Sequence, residues 1–427
     1  MARNAVVAQS GGPSPVINSS LKGVIDGCRA YPARFGKLYG GWHGIEGVLK
    51  EELLDLSAQA QREIELLATT PAAGVIGTCR YKLKGQQAED FDRVLQVFKA
   101  HDVGYFFYVG GNDSMDTAHK ISRLAGERGL DLVVTGVPKT IDNDVGDPEF
   151  KLLDHTPGYG SVSRYWAYYI QNANEENAGA CTSDPVLVMQ VMGRKVGFIP
   201  AATRLGDPER RMPMQIYMPA SGYTLEHMPD LVNDELKRSG RCLVVVSEGF
   251  DVGGLGEKYD SFGHIDYAAS ENTVAQAVIN YLNRKGLAAR GRAAATVSGQ
   301  DQRDTSIFAS TVDLKEANEV GRHAVEVALT VGTGWMATIL RKPGPIYQAC
   351  YDKAPLDKVA NSERALPTSW LSRNKLDVTD DYVRYARPLI GEEWPKIVLE
   401  NGLQRFARFR MVFADRKCPA YVPEGHR

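Results

Sequence analysis

The chain has 427 residues, 43% of them hydrophobic and 24% charged, with a formal net charge of −2. That length supports two or three domains with sizeable cores, in the composition range of ordinary globular proteins. The near-neutral balance gives no global support for nucleic acid as a partner, and no apolar run approaches the roughly 20 residues a membrane-spanning helix needs.

The first expected element is a strand over residues 5–8. It runs into Gln9-Ser10-Gly11-Gly12-Pro13-Ser14-Pro15 and a helix over about residues 16–29. Strand, glycine turn and helix form a layout that binds anions at a helix N-terminus. Gly11-Gly12 lacks the third glycine of a dinucleotide fingerprint and the Gly-Lys-Ser/Thr of a P-loop, so a plain tight turn explains it equally well. Residues 40–47 read as a glycine-rich surface segment in which His43 is solvated. Residues 74–80 end in Arg80, and a helix over about 89–100 follows with Phe91, Val94, Leu95 and Phe98 on one face.

Two apolar runs at 105–109 and 132–137 read as strands, one helix length (116–128) apart. The first ends in Gly110-Gly111-Asn112-Asp113-Ser114 and the second in Pro138-Lys139-Thr140-Ile141-Asp142-Asn143-Asp144. Strand ends one crossover apart sit side by side at the carboxyl edge of a parallel sheet, where open α/β folds place their ligands. One tip brings glycines, which let backbone amides approach a phosphate. The other brings a lysine and carboxylates. Together they suggest phosphoryl transfer: an anion cradle, a cation, a base and a place for metal.

Residues 156–160 lead into a long helix ending near 177. Tyr159, Trp166, Tyr168 and Tyr169 crowd it, and only Arg164 accompanies them. That pattern reads as core packing or a subunit interface rather than a base-stacking platform. A strand over 186–191 ends in Met192-Gly193-Arg194-Lys195, which places a guanidinium where a sugar phosphate can be held. Further strands are expected at 215–218, 243–246 and 293–297, with helices at 225–238 and 267–284. Ser247-Glu248-Gly249 offers a carboxylate for a sugar hydroxyl, residues 251–264 read as a mobile loop, and Gly299-Gln300-Asp301-Gln302-Arg303 brings another arginine. A helix at 314–330 and a strand at 335–340 precede a less regular remainder. The alternation of strands and helices indicates an α/β protein with mostly parallel sheets. Six cysteines, with no Cys-x-x-Cys pair, read as reduced thiols of a cytoplasmic protein, and the N-terminus enters a strand without a signal peptide.

Several ordered motifs resemble the phosphofructokinase family over most of residues 1–345. They are Ser10-Gly11-Gly12, Thr78-Cys79-Arg80-Tyr81, Gly110-Gly111-Asn112-Asp113-Ser114, Pro138-Lys139-Thr140-Ile141-Asp142-Asn143-Asp144, Met192-Gly193-Arg194, Ser247-Glu248-Gly249 and Gln302-Arg303. The resemblance implies two Rossmann-like domains, an active site in the cleft between them, and phosphoryl transfer to the 1-hydroxyl of fructose 6-phosphate. The expected layout is a donor domain over 1–150 rejoined by about 300–380, a sugar-phosphate domain over 151–299, and a C-terminal extension over 381–427. It also implies small-molecule substrates, Mg²⁺, and a homo-oligomer, either a dimer or a tetramer.

Asp113 and Lys139 stand where ATP-using relatives carry glycines, which resembles the pyrophosphate-dependent branch. A carboxylate at 113 would repel the α-phosphate of ATP by roughly 1–4 kcal/mol at about 4 Å. The plain alternative is a surface salt bridge between Asp113 and Lys139. By resemblance, Asp142 is the general base and Lys139 stabilises the transferring group. Gly11, Gly12, Arg80 and Gly111 hold pyrophosphate. Thr140, Ile141, Met192, Gly193, Arg194, Glu248, Gln300 and Arg303 hold the sugar phosphate, and Asp144 shapes the field. The family's magnesium aspartate falls on Asn112, whose amide oxygen can ligate Mg²⁺ without bringing charge. Pro185, Ala294 and Gln300 replace the basic residues of bacterial ATP enzymes. The rival readings are an ATP-dependent phosphofructokinase, a non-catalytic regulatory subunit, which would be expected to lack Asp142 or Lys139, and, least well supported, a nicotinamide dehydrogenase.

Overall fold

A computed structural model describes residues 2–84, 87–256, 258–259, 265–267 and 269–427. The chain divides into two compact units. The first comprises Met1–Gly158, Arg303–Glu363 and Glu393–Arg427, and the second Tyr159–Gln302 and Arg364–Glu392.

The first unit is built on a seven-stranded sheet. Its strands are β1 (Arg3–Gln9), β2 (Phe35–Gly41), β3 (Leu53–Asp55), β4 (Val103–Gly110), β5 (Val133–Pro138), β10 (Trp335–Arg341) and β11 (Ala349–Pro355), in the order β11-β10-β5-β4-β1-β2-β3. The four pairings of the inner strands, β10 through β2, are parallel, and the two edge strands are antiparallel. Every residue of β4 is buried, which fits its unbroken apolar run and its central place. The second unit carries β6 (Val186–Val191), β7 (Met214–Tyr217), β8 (Cys242–Ser247) and β9 (Ala293–Val297) in the order β7-β8-β6-β9, all parallel. The expectation of an α/β protein with mostly parallel sheets holds in each unit.

Several elements differ from expectation for local reasons. The helix expected at 116–128 starts four residues earlier, at Asn112–Glu127, because the Gly111 carbonyl already accepts the amide of Met115 at 3.0 Å. The helix expected at 267–284 starts at Val274, where the Thr273 side chain caps it by accepting the Gln276 amide. Residues 40–47 are not a surface segment. Gly40 and Gly41 close β2 and are buried, and a Cβ on Gly41 would lie 2.7 Å from the Gly44 carbonyl. Their glycines answer to lack of space, while His43 itself is exposed. The mobile loop expected at 251–264 falls partly on residues 257 and 260–264, outside the described residues.

The segments beyond residue 345 strap onto both units. Residues 412–414 run beside β3, with Asp55 N donating to Val412 O at 2.8 Å and Ala414 N to Leu53 O at 2.9 Å. Leu366 and Leu376 anchor a separate stretch in the second unit, through Leu366 N to Val196 O and Ile216 N to Leu376 O. Among the described residues, no helix is long and apolar enough to cross a membrane.

Candidate active site

In the first unit, β1, β4 and β5 are neighbours and run parallel, with Gln9 level with Val109 and Gly110 level with Pro138. Their register brings the loops after Gln9, Gly110 and Pro138 together at one carboxyl edge. Gly11 has φ +78°, a left-handed value suited to glycine. Its amide donates to Cys79 O at 2.9 Å, and Thr78 Oγ1 donates to its carbonyl at 2.9 Å. This pairing lays Arg80 beside the glycine turn. A Cβ on Gly12 would lie 2.8 Å from Arg303 Nη1 and 3.7 Å from Arg80 Nη2, and one on Gly11 would lie 3.3 Å from Lys139 Nζ. Three cations therefore converge on two glycines, an arrangement built to take an anion of high charge.

Lys139 is the buried member of this group, only 4% exposed, and its Nζ donates to Gly12 O at 2.6 Å. Burial lowers its pKa most, and the Arg303 and Arg80 guanidiniums lower it further, against opposition from the Asp142 and Asp144 carboxylates. The result is about 7. Lysine, two arginines and two aspartates thus form one electrostatic cluster. Within the loop, Asp142 N donates to Thr140 Oγ1 at 3.1 Å, Asn143 holds φ +60°, and Ile141 and Asp144 are buried.

Asn112 and Asp113 form the first turn of the helix that follows β4, with Gly111 as its N-cap. The Asn112 side chain is engaged at both ends: Oδ1 accepts the Asp113 amide at 2.9 Å, and Nδ2 donates to Ser362 O. Asp113 Oδ1 pairs with Lys82 Nζ. Asp113 thus has Lys82 as a partner, while Lys139 is buried against Gly12. No group of three or more His, Cys, Asp or Glu among the described residues could cage a metal. A magnesium ion does not need one: it binds through one or two carboxylates together with substrate phosphates and water. Asp113 and Asp144 are carboxylates of that kind, beside the amide of Asn112.

The second unit gathers its own loops at the carboxyl edge of β8, β6 and β9, where Val191 is level with Ser247 and Gln190 with Val297. Gly193 and Arg194 turn with φ +106° and +47°. The turn is held because Arg194 N donates to Glu248 Oε1 at 3.3 Å and Ser247 Oγ donates to Arg194 O. Glu248 is 8% exposed and Gln300 is exposed. Met192 is tied by its amide to Gln302 Oε1 at 3.0 Å, an oxygen that also accepts Trp166 Nε1 at 2.8 Å. Tyr159 and Trp166 are fully buried, so this part of the aromatic crowd is core.

Sequence reasoning missed three supporting residues, Lys82, Ser362 and Thr156, while Gln302 lies within the 300–303 segment already expected at the sugar phosphate. Lys82 lies two places beyond Arg80, a spacing that in extended chain points both side chains the same way. Ser362 and Thr156 carry no local signal, because each acts across more than a dozen residues. The C-terminal residues were also unassigned. Tyr421 Oη and the Glu424 amide both donate to the buried Asp90 carboxylate, which also accepts Tyr81 Oη beside Arg80.

Residues 4–328 match the family model described as Phosphofructokinase. The chain is 37% identical over 428 residues to a pyrophosphate–fructose 6-phosphate 1-phosphotransferase of Halomonas elongata, covering 98% of this chain and 99% of that one. It is 37% identical over 430 residues to the enzyme of the same name from Methylococcus capsulatus, with 98% and 99% covered. The crystal structure of a pyrophosphate-dependent phosphofructokinase from Nitrosospira multiformis superposes with a TM-score of 0.87 at 36% identity, covering 99% of this chain and 100% of that one. On the glycine, lysine and aspartate loops of its first sheet, and on a match spanning three quarters of its length, this chain belongs to the phosphofructokinase family.

Proposed function

We propose that this protein is a pyrophosphate-dependent phosphotransferase that reversibly phosphorylates the 1-hydroxyl of fructose 6-phosphate, giving fructose 1,6-bisphosphate and phosphate. The observation that carries the reading is Lys139, buried against Gly12 beside Arg80 and Arg303. A buried ammonium among arginines is costly without an anion, and pyrophosphate is a compact, highly charged one. The nearly full-length similarity to proteins named for this reaction supports the same donor and acceptor.

In this reading the first unit binds pyrophosphate through Gly11, Gly12, Arg80 and the amides at Gly111. Asp142 takes the proton of the sugar 1-hydroxyl as its oxygen attacks phosphorus. The bridging P–O bond breaks, and phosphate leaves with its charge met by Lys139 and Arg80. By the family resemblance, Met192, Gly193, Arg194, Glu248, Gln300, Thr140, Ile141 and Arg303 hold the sugar phosphate. Mg²⁺ would be held at Asn112 with help from Asp113, Asp144 and the pyrophosphate oxygens, and would supply charge neutralisation at the transferring phosphoryl group. Cytoplasmic location fits six free thiols, and a homo-oligomer, dimer or tetramer, follows from the family resemblance.

Two donors separate the readings. Purified protein with fructose 6-phosphate and Mg²⁺ is expected to turn over with pyrophosphate and not with ATP. Turnover with ATP alone would replace this reading with an ATP-dependent kinase, and none with either donor would favour the regulatory subunit.

A further inference from the structure

Residues 154–158 form a strap beneath the phosphoryl-transfer loop. His155 is 1% exposed, and both its ring nitrogens face carboxylates: Nδ1 lies 2.8 Å from Asp154 Oδ2 and Nε2 lies 2.8 Å from Glu316 Oε2. Those carboxylates are themselves engaged. Arg341 donates to both oxygens of Asp154 at 3.2 and 3.1 Å, and Tyr347 Oη donates to Glu316 Oε1 at 2.6 Å. Three residues on, Gly158 N donates to the Asp313 carboxylate at 3.0 Å. Asp313 and Glu316 lie one turn apart on the helix Thr311–Thr330, so one helix grips the strap at two points.

Thr156 sits between those grips. Its Oγ1 donates to Thr140 O at 2.8 Å, its amide donates to Asn143 Oδ1 at 3.1 Å, and Thr140 forms a β-bridge with Gly158. The two loop residues it contacts flank Asp142, and Asn143 is held at a positive φ of 60°. Asn adopts this left-handed conformation more readily than most residues, and the Thr156 amide holds its side chain there. Thr156 contacts the loop on both sides of Asp142, through its hydroxyl at Thr140 and its backbone amide at Asn143, and the clamped His155 ring fixes where Thr156 stands.

We propose that Thr156, anchored through the Asp154–His155–Glu316 array, is a positioning residue that sets the conformation of residues 139–144 for phosphoryl transfer. The proposal rests on the pyrophosphate reading for its kinetic arm only. An outward shift of about 1 Å in Asp142 or Lys139 is enough to cost about 100-fold in rate without weakening ground-state binding.

Thr156→Val keeps the shape and removes the hydroxyl, while Thr156→Ser restores it. Thr156→Val is expected to lower kcat about 10- to 100-fold with KM for both substrates within about threefold. Amide hydrogen exchange over residues 139–144 should rise in parallel, and Thr156→Ser should return both readouts to near the parent values. Thr156→Ala, expected to behave as Thr156→Val, serves if the valine variant does not fold. Parent-like kcat and exchange in Thr156→Val, or equal loss in the valine and serine variants, would overturn the proposal. Absence of pyrophosphate turnover in the parent would strike the functional reading instead, and the exchange measurement would still decide the role of Thr156.

Discussion

The ammonium of Lys139 donates to the carbonyl oxygen of Gly12 at 2.6 Å, tying the loop after β5 to the loop after β1 across β4. That bond puts a buried cation at the floor of an arginine-lined turn. Burial and the two guanidiniums hold its pKa at about 7, well below the usual lysine value. In the unfolded chain the same lysine stays protonated to about pH 10.4. The unfolded state therefore binds more protons between pH 7 and 10, and stability attributable to this residue rises with pH through that window. Lys139→Met should relieve the penalty, stabilising the substrate-free protein by about 2 kcal/mol or more at pH 6.5, with the gain fading toward pH 10. Thermal unfolding of both proteins across this range checks the sign. The same variant should lose at least about 100-fold in kcat with pyrophosphate.

Pyrophosphate binding should recharge Lys139. An anion beside it favours the ammonium, so its pKa climbs on binding and a proton is taken up at pH 8. Titration calorimetry in two buffers of different ionisation enthalpy reads that uptake. The component due to Lys139 should vanish in Lys139→Met.

Gly12→Ala separates the two arginines. The added methyl would lie 2.8 Å from Arg303 but 3.7 Å from Arg80, so Arg303 must move and Arg80 need not. Because the guanidinium end is flexible, the effect should be modest. KM for fructose 6-phosphate should rise about threefold to tenfold, with KM for pyrophosphate changing less. The reverse pattern would exchange the roles assigned to Arg303 and Arg80.

Asp113 is held by Lys82, so its charge sits at the start of the helix Asn112–Glu127. Asp113→Gly should weaken pyrophosphate turnover and tighten inhibition by ATP about tenfold or more, since the like-charge repulsion of roughly 1–4 kcal/mol is removed. Unchanged ATP inhibition would remove Asp113 as a donor filter.

The His155 array predicts a second pH dependence of opposite sign. Burial alone would lower the His155 pKa, but Glu316 and the hydrogen bonds to Asp154 and Glu316 outweigh it, raising it to about 9. Arg341 and Tyr347 are the other ionisable groups of this array. The folded state thus keeps the proton longer than the unfolded one. The stabilisation, about 3 kcal/mol, is fully present below about pH 6.5 and is lost as pH rises through 9. His155→Gln should flatten that loss between pH 6.5 and 9 in denaturant melts.

Strand ends were legible because apolar runs followed by glycines mark them. The runs before Gly110-Gly111 and Pro138-Lys139 placed two loops that the sheet does set side by side. The start of the helix at Asn112 was not legible, since Asn and Asp favour turns as readily as first turns of helices. Lys82, Ser362 and Thr156 were not legible because their partners at 113, 112 and 140 are fixed by the fold rather than by local spacing. The surface reading of 40–47 failed for a related reason: glycine marks both an exposed turn and a place too tight for a Cβ, and Gly41 is of the second kind.

The reverse reaction distinguishes pyrophosphate from nucleotide as the phosphoryl donor. Protein incubated with fructose 1,6-bisphosphate, phosphate and Mg²⁺, followed by phosphorus NMR, should build up pyrophosphate and fructose 6-phosphate in equal amounts, and Lys139→Met should not. Formation of ATP from fructose 1,6-bisphosphate and ADP, with no pyrophosphate signal from phosphate, would contradict the account.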